Sequence, residues 1–302
     1  MLSLRQRAHR QAWGLLAPML IVMFLLTAWP LARTIWLSFT DAALIGGGDT
    51  PAWIGLENYL FALTDADFLA SILRTLYFTV ASVALEGIIG VLVALLLNQR
   101  FYGRNLLRVL VILPWALPTI VNAMMWRLNF NPDYGSINAL LTQLELIDGY
   151  RSWLGTPTSA LNAVMLADIW KNYPLVTLLV LAALQSIPDD LYEAARLDGA
   201  SAWRRFRAIT FPAIVAPLSV ALVLRTIDAF KIFDIIYVMT RGGPIDSTKT
   251  LSFFVYQESF SYLRAGSGAA YAILMALMCG VLIAIYLLML LRQRRRSTAN
   301  EI

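Results

Sequence analysis

Six stretches of this chain are too long and too apolar to be solvated by water. They fall near residues 12–37, 72–97, 107–128, 160–184, 213–238 and 268–291, and about 20 mostly apolar residues are enough for a helix to cross a bilayer. In lipid each backbone N–H and C=O must be satisfied within the protein, so runs of this length predict helices. The charged fraction agrees: 14% of 302 residues, against roughly 25% in a soluble domain. The expected fold is all-α, a polytopic membrane protein with six transmembrane helices in a single domain over 1–302. The fifth run is the least regular, because Arg225, Asp228, Lys231 and Asp234 interrupt it.

Charge in the connecting segments sets the orientation. Arg5, Arg7 and Arg10 precede the first run, and Arg100, Arg104 and Arg108 lie between the second and third. Arg196, Arg204, Arg205 and Arg207 lie between the fourth and fifth, and Arg292, Arg294, Arg295 and Arg296 follow the sixth. The opposite loops are acidic, with Asp41, Asp49, Glu57, Asp65 and Asp67 in one and Asp133, Glu145 and Asp148 in another. Positive charge stays inside, so both termini are expected in the cytoplasm, as an even number of spans requires. The first run starts basic, as a signal peptide does. It is too long for an h-region and has no convincing small-x-small cleavage site, so it is read as a retained span. The net charge of +5 is explained by arginines facing anionic lipid headgroups, and no nucleic-acid partner is expected.

Several function classes are excluded by what the chain lacks. No G-x-x-x-x-G-K-[ST] loop is present to cradle ATP phosphates. Cys279 is the single cysteine and His9 the single histidine, so neither a disulfide, a cysteine metal site nor a Ser/His/Asp set can be assembled. No catalytic residue and no metal ligand are expected. Energy, if consumed, comes from another subunit.

Between the fourth and fifth runs lies a polar segment, 186–212, that forms a helix–turn–helix. Ser186-Ile-Pro-Asp-Asp suits a helix start, with proline in the first turn and acidic residues at the positive end of the dipole. Gly199 is placed to stop that helix with positive φ, and Ser201 to cap the next one. The segment resembles the EAA signature of ABC importer permeases, E-A-A-x-x-D-G-A-x-x-x-x-x-F-x-x-I-x-x-P. Glu193, Ala194, Ala195, Asp198, Gly199, Ala200, Phe206, Ile209 and Pro212 fill all nine fixed positions. Further strings in the same order are similar to sugar-importer permeases of the maltose and glycerol-phosphate type, the first of the two permeases in such systems. These are Leu16-Ala-Pro-Met, Trp29-Pro-Leu, Gly55-Leu-Glu-Asn-Tyr, Leu113-Pro-Trp-Ala-Leu-Pro, Asn131-Pro-Asp-Tyr-Gly-Ser-Ile-Asn and Arg241-Gly-Gly-Pro.

The resemblance implies a type I ABC importer permease fold in which the polar segment is a cytoplasmic coupling helix docking on an ATPase subunit. It implies as partners a second homologous permease, two ATPase subunits and an extracytoplasmic solute-binding protein. It implies no cofactor in this chain, since ATP and Mg would be held by the ATPase partners. The implied role is import of a sugar across the inner membrane. Alternatives are an ABC importer for a polyol or phosphodiester, or a secondary transporter acting alone, which would have no ATPase to dock.

Ionisable groups inside a span are costly and tend to line a path or pair. Asp168, Lys171, Asn172 and Leu175 recur at i, i+3, i+4 and i+7, one face of a helix. Arg225, Asp228 and Lys231 recur every three residues. At 1.5 Å per residue the first set lies about 12–22 Å in from outside and the second about 18–27 Å up from inside, so they meet. Trp115, Thr119 and Asn122 are expected on one side of the third span. The resemblance implies substrate contacts at Trp115, Thr119, Asp168, Lys171, Asn172, Leu175, Arg225 and Ala229. The competing reading is structural, with Asp168–Lys171 and Asp228–Lys231 as neutralising pairs and Trp115 as an interfacial anchor. Three cations (Arg225, Lys171, Lys231) face two carboxylates (Asp168, Asp228), and this surplus leaves an acidic sugar and a neutral oligosaccharide as even alternatives. Glu86 either pairs with an arginine or faces the partner permease.

Overall fold

The computed structural model describes residues 4–45 and 51–299, with side chains over 13–45, 51–286 and at Leu288. Asp49, and the side chains of Arg5, Arg7, His9, Arg10 and the four C-terminal arginines, lie outside the described residues. Among the described residues there is no strand, only the isolated bridges Thr40–Trp53 and Ala43–Arg264.

The first apolar run is α1 (Leu4–Met23) and α2 (Trp29–Leu37), joined by a π-turn over Phe24–Ala28. That wider turn sits just before Pro30, which lacks an N–H and cannot continue a regular ladder. Next come α3 (Glu57–Thr64) and α4 (Ala66–Asn98). Asp65 starts α4 by accepting from the N–H groups of Asp67 (2.9 Å) and Phe68 (3.2 Å). At 33 residues this helix is about 50 Å long at 1.5 Å per residue, well beyond a hydrocarbon core of about 30 Å.

The third run departs from expectation. It folds as α5 (Arg104–Ala116) and α6 (Thr119–Asn129), bent by 98°. Leu117 and Pro118 are both extended, with ψ of 138° and 139°, because the residue before a proline is pushed out of the helical region. With 13 and 11 residues the halves measure about 20 and 16 Å, so neither spans alone. Five helices are long and apolar enough to cross, six when this bent pair counts as one.

After α7 (Ser136–Gln143) comes α8 (Pro157–Gln185), with proline at its first turn. The polar segment forms α9 (Asp189–Leu197) and α10 (Ala202–Arg205). A π-turn over Phe206–Thr210 then leads into α11 (Phe211–Phe230), so one helix runs unbroken from Ala202 to Phe230. The fifth span therefore starts earlier than expected and ends at Phe230, not near 238. Lys231 caps it and Asp234 opens the separate α12 (Asp234–Met239). Last come α13 (Leu251–Tyr256), a π-turn over Gln257–Ser261, and α14 (Ala265–Ala299).

The chain divides into two compact units, Met1–Leu69 with Val255–Leu277, and Ala70–Phe254 with Met278–Ile302. In the larger, α8 is the axis. Its N-terminal half packs Ala163, Val164 and Ala167 with Phe78 of α4, Ala123 of α6 and Ile235 of α12. Its C-terminal half packs Val176, Val180 and Leu184 with Ala94 of α4 and Ile214 of α11. A Cβ on Gly90 would stand 2.6 Å from Val176 Cβ, so glycine lets α4 and α8 touch. In the smaller unit, Tyr271 donates to Asp65 Oδ2 (2.8 Å) and its ring packs on Phe68. There too, Glu258 Oε1 accepts from Ser267 (2.8 Å) and Arg264 (3.3 Å).

Candidate functional site

Two sets of residues carry candidate function: an ionic cluster between α4, α8 and α11, and the polar helix pair α9–α10.

The cluster centres on Arg225, 4% exposed, with Asp168 at 2% and Glu86 at 0%. Arg225 Nε donates to Glu86 Oε2 (2.6 Å) and Nη2 to Glu86 Oε1 (2.9 Å), a two-pronged grip. Nη2 also donates to Asp168 Oδ2 (3.0 Å). Asp168 Oδ1 accepts from Asn172 Nδ2 (2.8 Å), which also donates to the Asp168 carbonyl (3.0 Å). Asp228 lies 4.0 Å from Arg225 with its side chain largely exposed. A buried charge is tolerated only when paired and hydrogen-bonded, and here α4 supplies what α11 needs.

The charge balance changes accordingly. Within 4.0 Å, no ion pair joins Asp168 to Lys171 or Asp228 to Lys231 among the described residues; Arg225 takes Glu86 and Asp168 instead. Glu86 makes three carboxylates against three cations, so the expected surplus of positive charge disappears. The argument for an acidic sugar from Arg225 falls with it. Of the two alternatives for Glu86, the structure shows the arginine pair, with Arg225 as the arginine; Gly87 and Gly90 beside it mark where a neighbouring helix can approach closely.

Accessibility separates the other candidates. Trp115, Lys171, Leu175, Thr119 and Asp228 are exposed or half-buried, while Asn172 keeps 8% of its surface open. Ala229 is fully buried in the apolar core, so the expected contact there does not lie on an open surface. Asn122 is likewise sealed, its Nδ2 donating to the Ala167 carbonyl (3.2 Å). The 98° bend corrects the expected shared face too: Trp115 belongs to α5, Thr119 and Asn122 to α6.

The helix pair is built as the sequence suggests. Asp189 and Asp190 occupy the first turn of α9. It ends in a Schellman motif: Gly199 has φ of +73°, its N–H meets the Arg196 carbonyl (3.0 Å), and the Ala200 N–H meets that of Ala195 (2.9 Å). Ser201 then caps α10, its Oγ accepting from the Arg204 N–H (3.3 Å). Glu193, Ala194, Asp198 and Gly199 are exposed, Ala195 and Ala200 half-buried. Phe206 stacks on Trp203 with centroids 5.6 Å apart. Tyr192 and Thr210 share a hydrogen bond (2.8 Å) that ties α9 to the helix leading into α11.

Comparison with known proteins agrees with this architecture. Residues 86–297 match the family described as binding-protein-dependent transport system inner membrane component. The chain is 43% identical over 276 residues, 90% of each chain, to the trehalose/maltose transport system permease protein MalF of Thermococcus litoralis. It is 38% identical to the sulfoquinovosyl glycerol transport system permease protein SmoG of Agrobacterium fabrum, over 90% of this chain and 88% of that one. A subunit of a bacterial ABC transporter involved in alginate import superposes with a TM-score of 0.83 at 23% identity, over 95% of this chain and 96% of the other, and shares the fold. An all-α chain with membrane-length helices, matched along most of its length by permeases, belongs to the inner membrane components of binding-protein-dependent ABC importers, subunits that are not themselves enzymes.

Proposed function

We propose that this chain carries a sugar across the inner membrane and couples that passage to ATP hydrolysis by partner subunits through α9. The observation that carries the coupling half is the build of the pair. Its exposed tip, with Glu193, Ala194, Asp198 and Gly199, is tied by Tyr192–Thr210 to a helix that runs without a break to Phe230. Force on the tip therefore reaches Arg225 through one rigid element. In this reading both termini are cytoplasmic and the six spans work as one transmembrane domain. A second permease, two ATPase subunits holding ATP and Mg, and an extracytoplasmic binding protein complete the machine; this chain itself binds no cofactor.

The solute half rests on likeness to the trehalose/maltose relative and on one face of α8, with Lys171 and Leu175 half-buried and Asn172 8% exposed, together with Trp115 and Thr119. An aromatic at Trp115 offers a stacking surface, and the amide and hydroxyl groups suit sugar hydroxyls. With Arg225 engaged by two carboxylates, a neutral oligosaccharide is favoured over an acidic one. The second reading, an acidic sugar, draws on the sulfoquinovosyl glycerol relative alone.

The test is uptake by the complex reconstituted with its ATPase and binding protein, using radiolabelled trehalose, maltose and a uronic-acid disaccharide. Neutral sugar should accumulate only with ATP and the ATPase subunits present. Uptake persisting without the ATPase would overturn the importer reading; uptake of the uronic sugar alone would overturn the neutral one.

A further inference from the structure

We propose that Glu86, which no part of the solute face contains, is a positioning residue that sets which hydrogen-bonding group that face presents. The inference rests on the reading of the α8 face as the sugar site. Its physical basis is a relay of four side chains on three helices.

A guanidinium held at one atom can swing about its long stem. Held by Nε and Nη2 together, its plane is fixed, and Glu86 holds both (2.6 and 2.9 Å). The second N–H of Nη2 then falls on Asp168 Oδ2 (3.0 Å). That leaves Oδ1 turned toward Asn172, one helical turn on, where it accepts from Nδ2 (2.8 Å) while the Asp168 carbonyl accepts from the same nitrogen (3.0 Å). The Asn172 amide has one sensible orientation between two acceptors, since turning it over would set oxygen against oxygen. Among the described residues its amide oxygen has no hydrogen-bond partner and is not sealed from solvent.

The site therefore offers an acceptor at Asn172, and the solute must donate to it. A sugar hydroxyl qualifies; an ether oxygen or a deoxy carbon does not. Without Glu86 the guanidinium loses its fixed plane, Asp168 its orientation, and the amide is free to turn its donor outward. The fold would still be present, but the acceptor would be presented only part of the time.

The experiment compares Glu86→Gln, Asn172→Ala and the double variant in the reconstituted complex, with radiolabelled trehalose and maltose. Each single variant should raise uptake KM about three- to tenfold, the worth of one neutral hydrogen bond, with Vmax per assembled complex little changed. The double variant should be no worse than Asn172→Ala, because the two act through one contact. Should Glu86→Gln assemble poorly, Glu86→Asp keeps the charge with one methylene less reach, and the same rise in KM is expected. Normal KM in an assembled Glu86 variant, with KM raised in Asn172→Ala, overturns the relay and leaves the sugar site standing. Additive effects in the double variant overturn it as well. Normal KM in Asn172→Ala overturns the site reading, and the relay with it.

Discussion

At Gly90 α4 comes close to α8, and a single methyl group there tests the packing between the two helices. Its missing Cβ would lie 2.6 Å from Val176 Cβ and 2.7 Å from Val176 Cγ1. Either the helices part or the strain is held locally. Gly90→Ala is expected to cost about 1–3 kcal/mol, as overpacking of a tight interior does, and to lower the melting temperature of the detergent-solubilised protein. Val176→Ala in the same chain removes Cγ1 but not Cβ, so it should recover part of the loss. A Gly90→Ala protein that melts normally would mean the two helices do not approach this closely. The residue scale is also where the sequence was least legible. The spacing of Asp168–Lys171 and Asp228–Lys231 suggests local pairs, yet Arg225 reaches Glu86, 139 positions away in sequence. Nothing in one sequence says which distant charges meet. What could be read is that an intramembrane carboxylate needs a partner, and that Gly87 and Gly90 beside it thin the helix surface on the side where one could come near. Ala229 shows the converse: a contact there is what the family resemblance implies, and its burial was not readable.

At the scale of elements, hydrophobic length located the membrane helices, and breaks in them were missed where they depend on backbone geometry. Pro118 was visible, but a run of apolar residues reads the same whether straight or bent by 98°. The ends of α9 and α10 were legible because glycine and serine at those places have local causes, a positive φ and a side-chain acceptor. That makes Gly199 a clean probe of coupling. Nothing lies within 4 Å of where its Cβ would be, yet its φ is +73°. A substitution there acts through backbone conformation and not through a clash inside this chain. Gly199→Val should cost about 1–2 kcal/mol at the left-handed position, unwinding the end of α9 and moving Asp198 and Glu193. Assembly should survive, because the segment lies at an exposed end, while binding-protein-stimulated ATP hydrolysis falls at least fivefold. Gly199→Asn, which tolerates the left-handed region, should retain most of it. Equal stimulation in Gly199→Val and the unsubstituted protein would separate the Schellman end from coupling.

For the whole molecule, the orientation inferred from arginine-rich and acidic connections can be tested with one cysteine at each end of the bundle. Cys279 is buried, and Cys279→Ser removes the only native thiol. For the outer face Ile245→Cys is preferable to Asp246→Cys. Ile245 is 88% exposed, whereas Asp246 is the ion-pair partner of buried Lys249 at 2.9 Å, and removing it would leave that ammonium without its carboxylate. For the inner face Tyr102→Cys is suitable: the residue is fully exposed between α4 and α5. In intact cells an impermeant maleimide should label Ile245→Cys and leave Tyr102→Cys unlabelled until the membrane is opened. The physical cause is the bias of lysine and arginine toward the cytoplasmic side of short loops, and Arg100 and Arg104 flank Tyr102 closely. The reverse pattern would turn the molecule over, putting α9 outside, where no ATP-hydrolysing partner could dock on it. Labelling of Tyr102→Cys in intact cells therefore bears on more than topology: it would remove the coupling role of α9 along with the orientation.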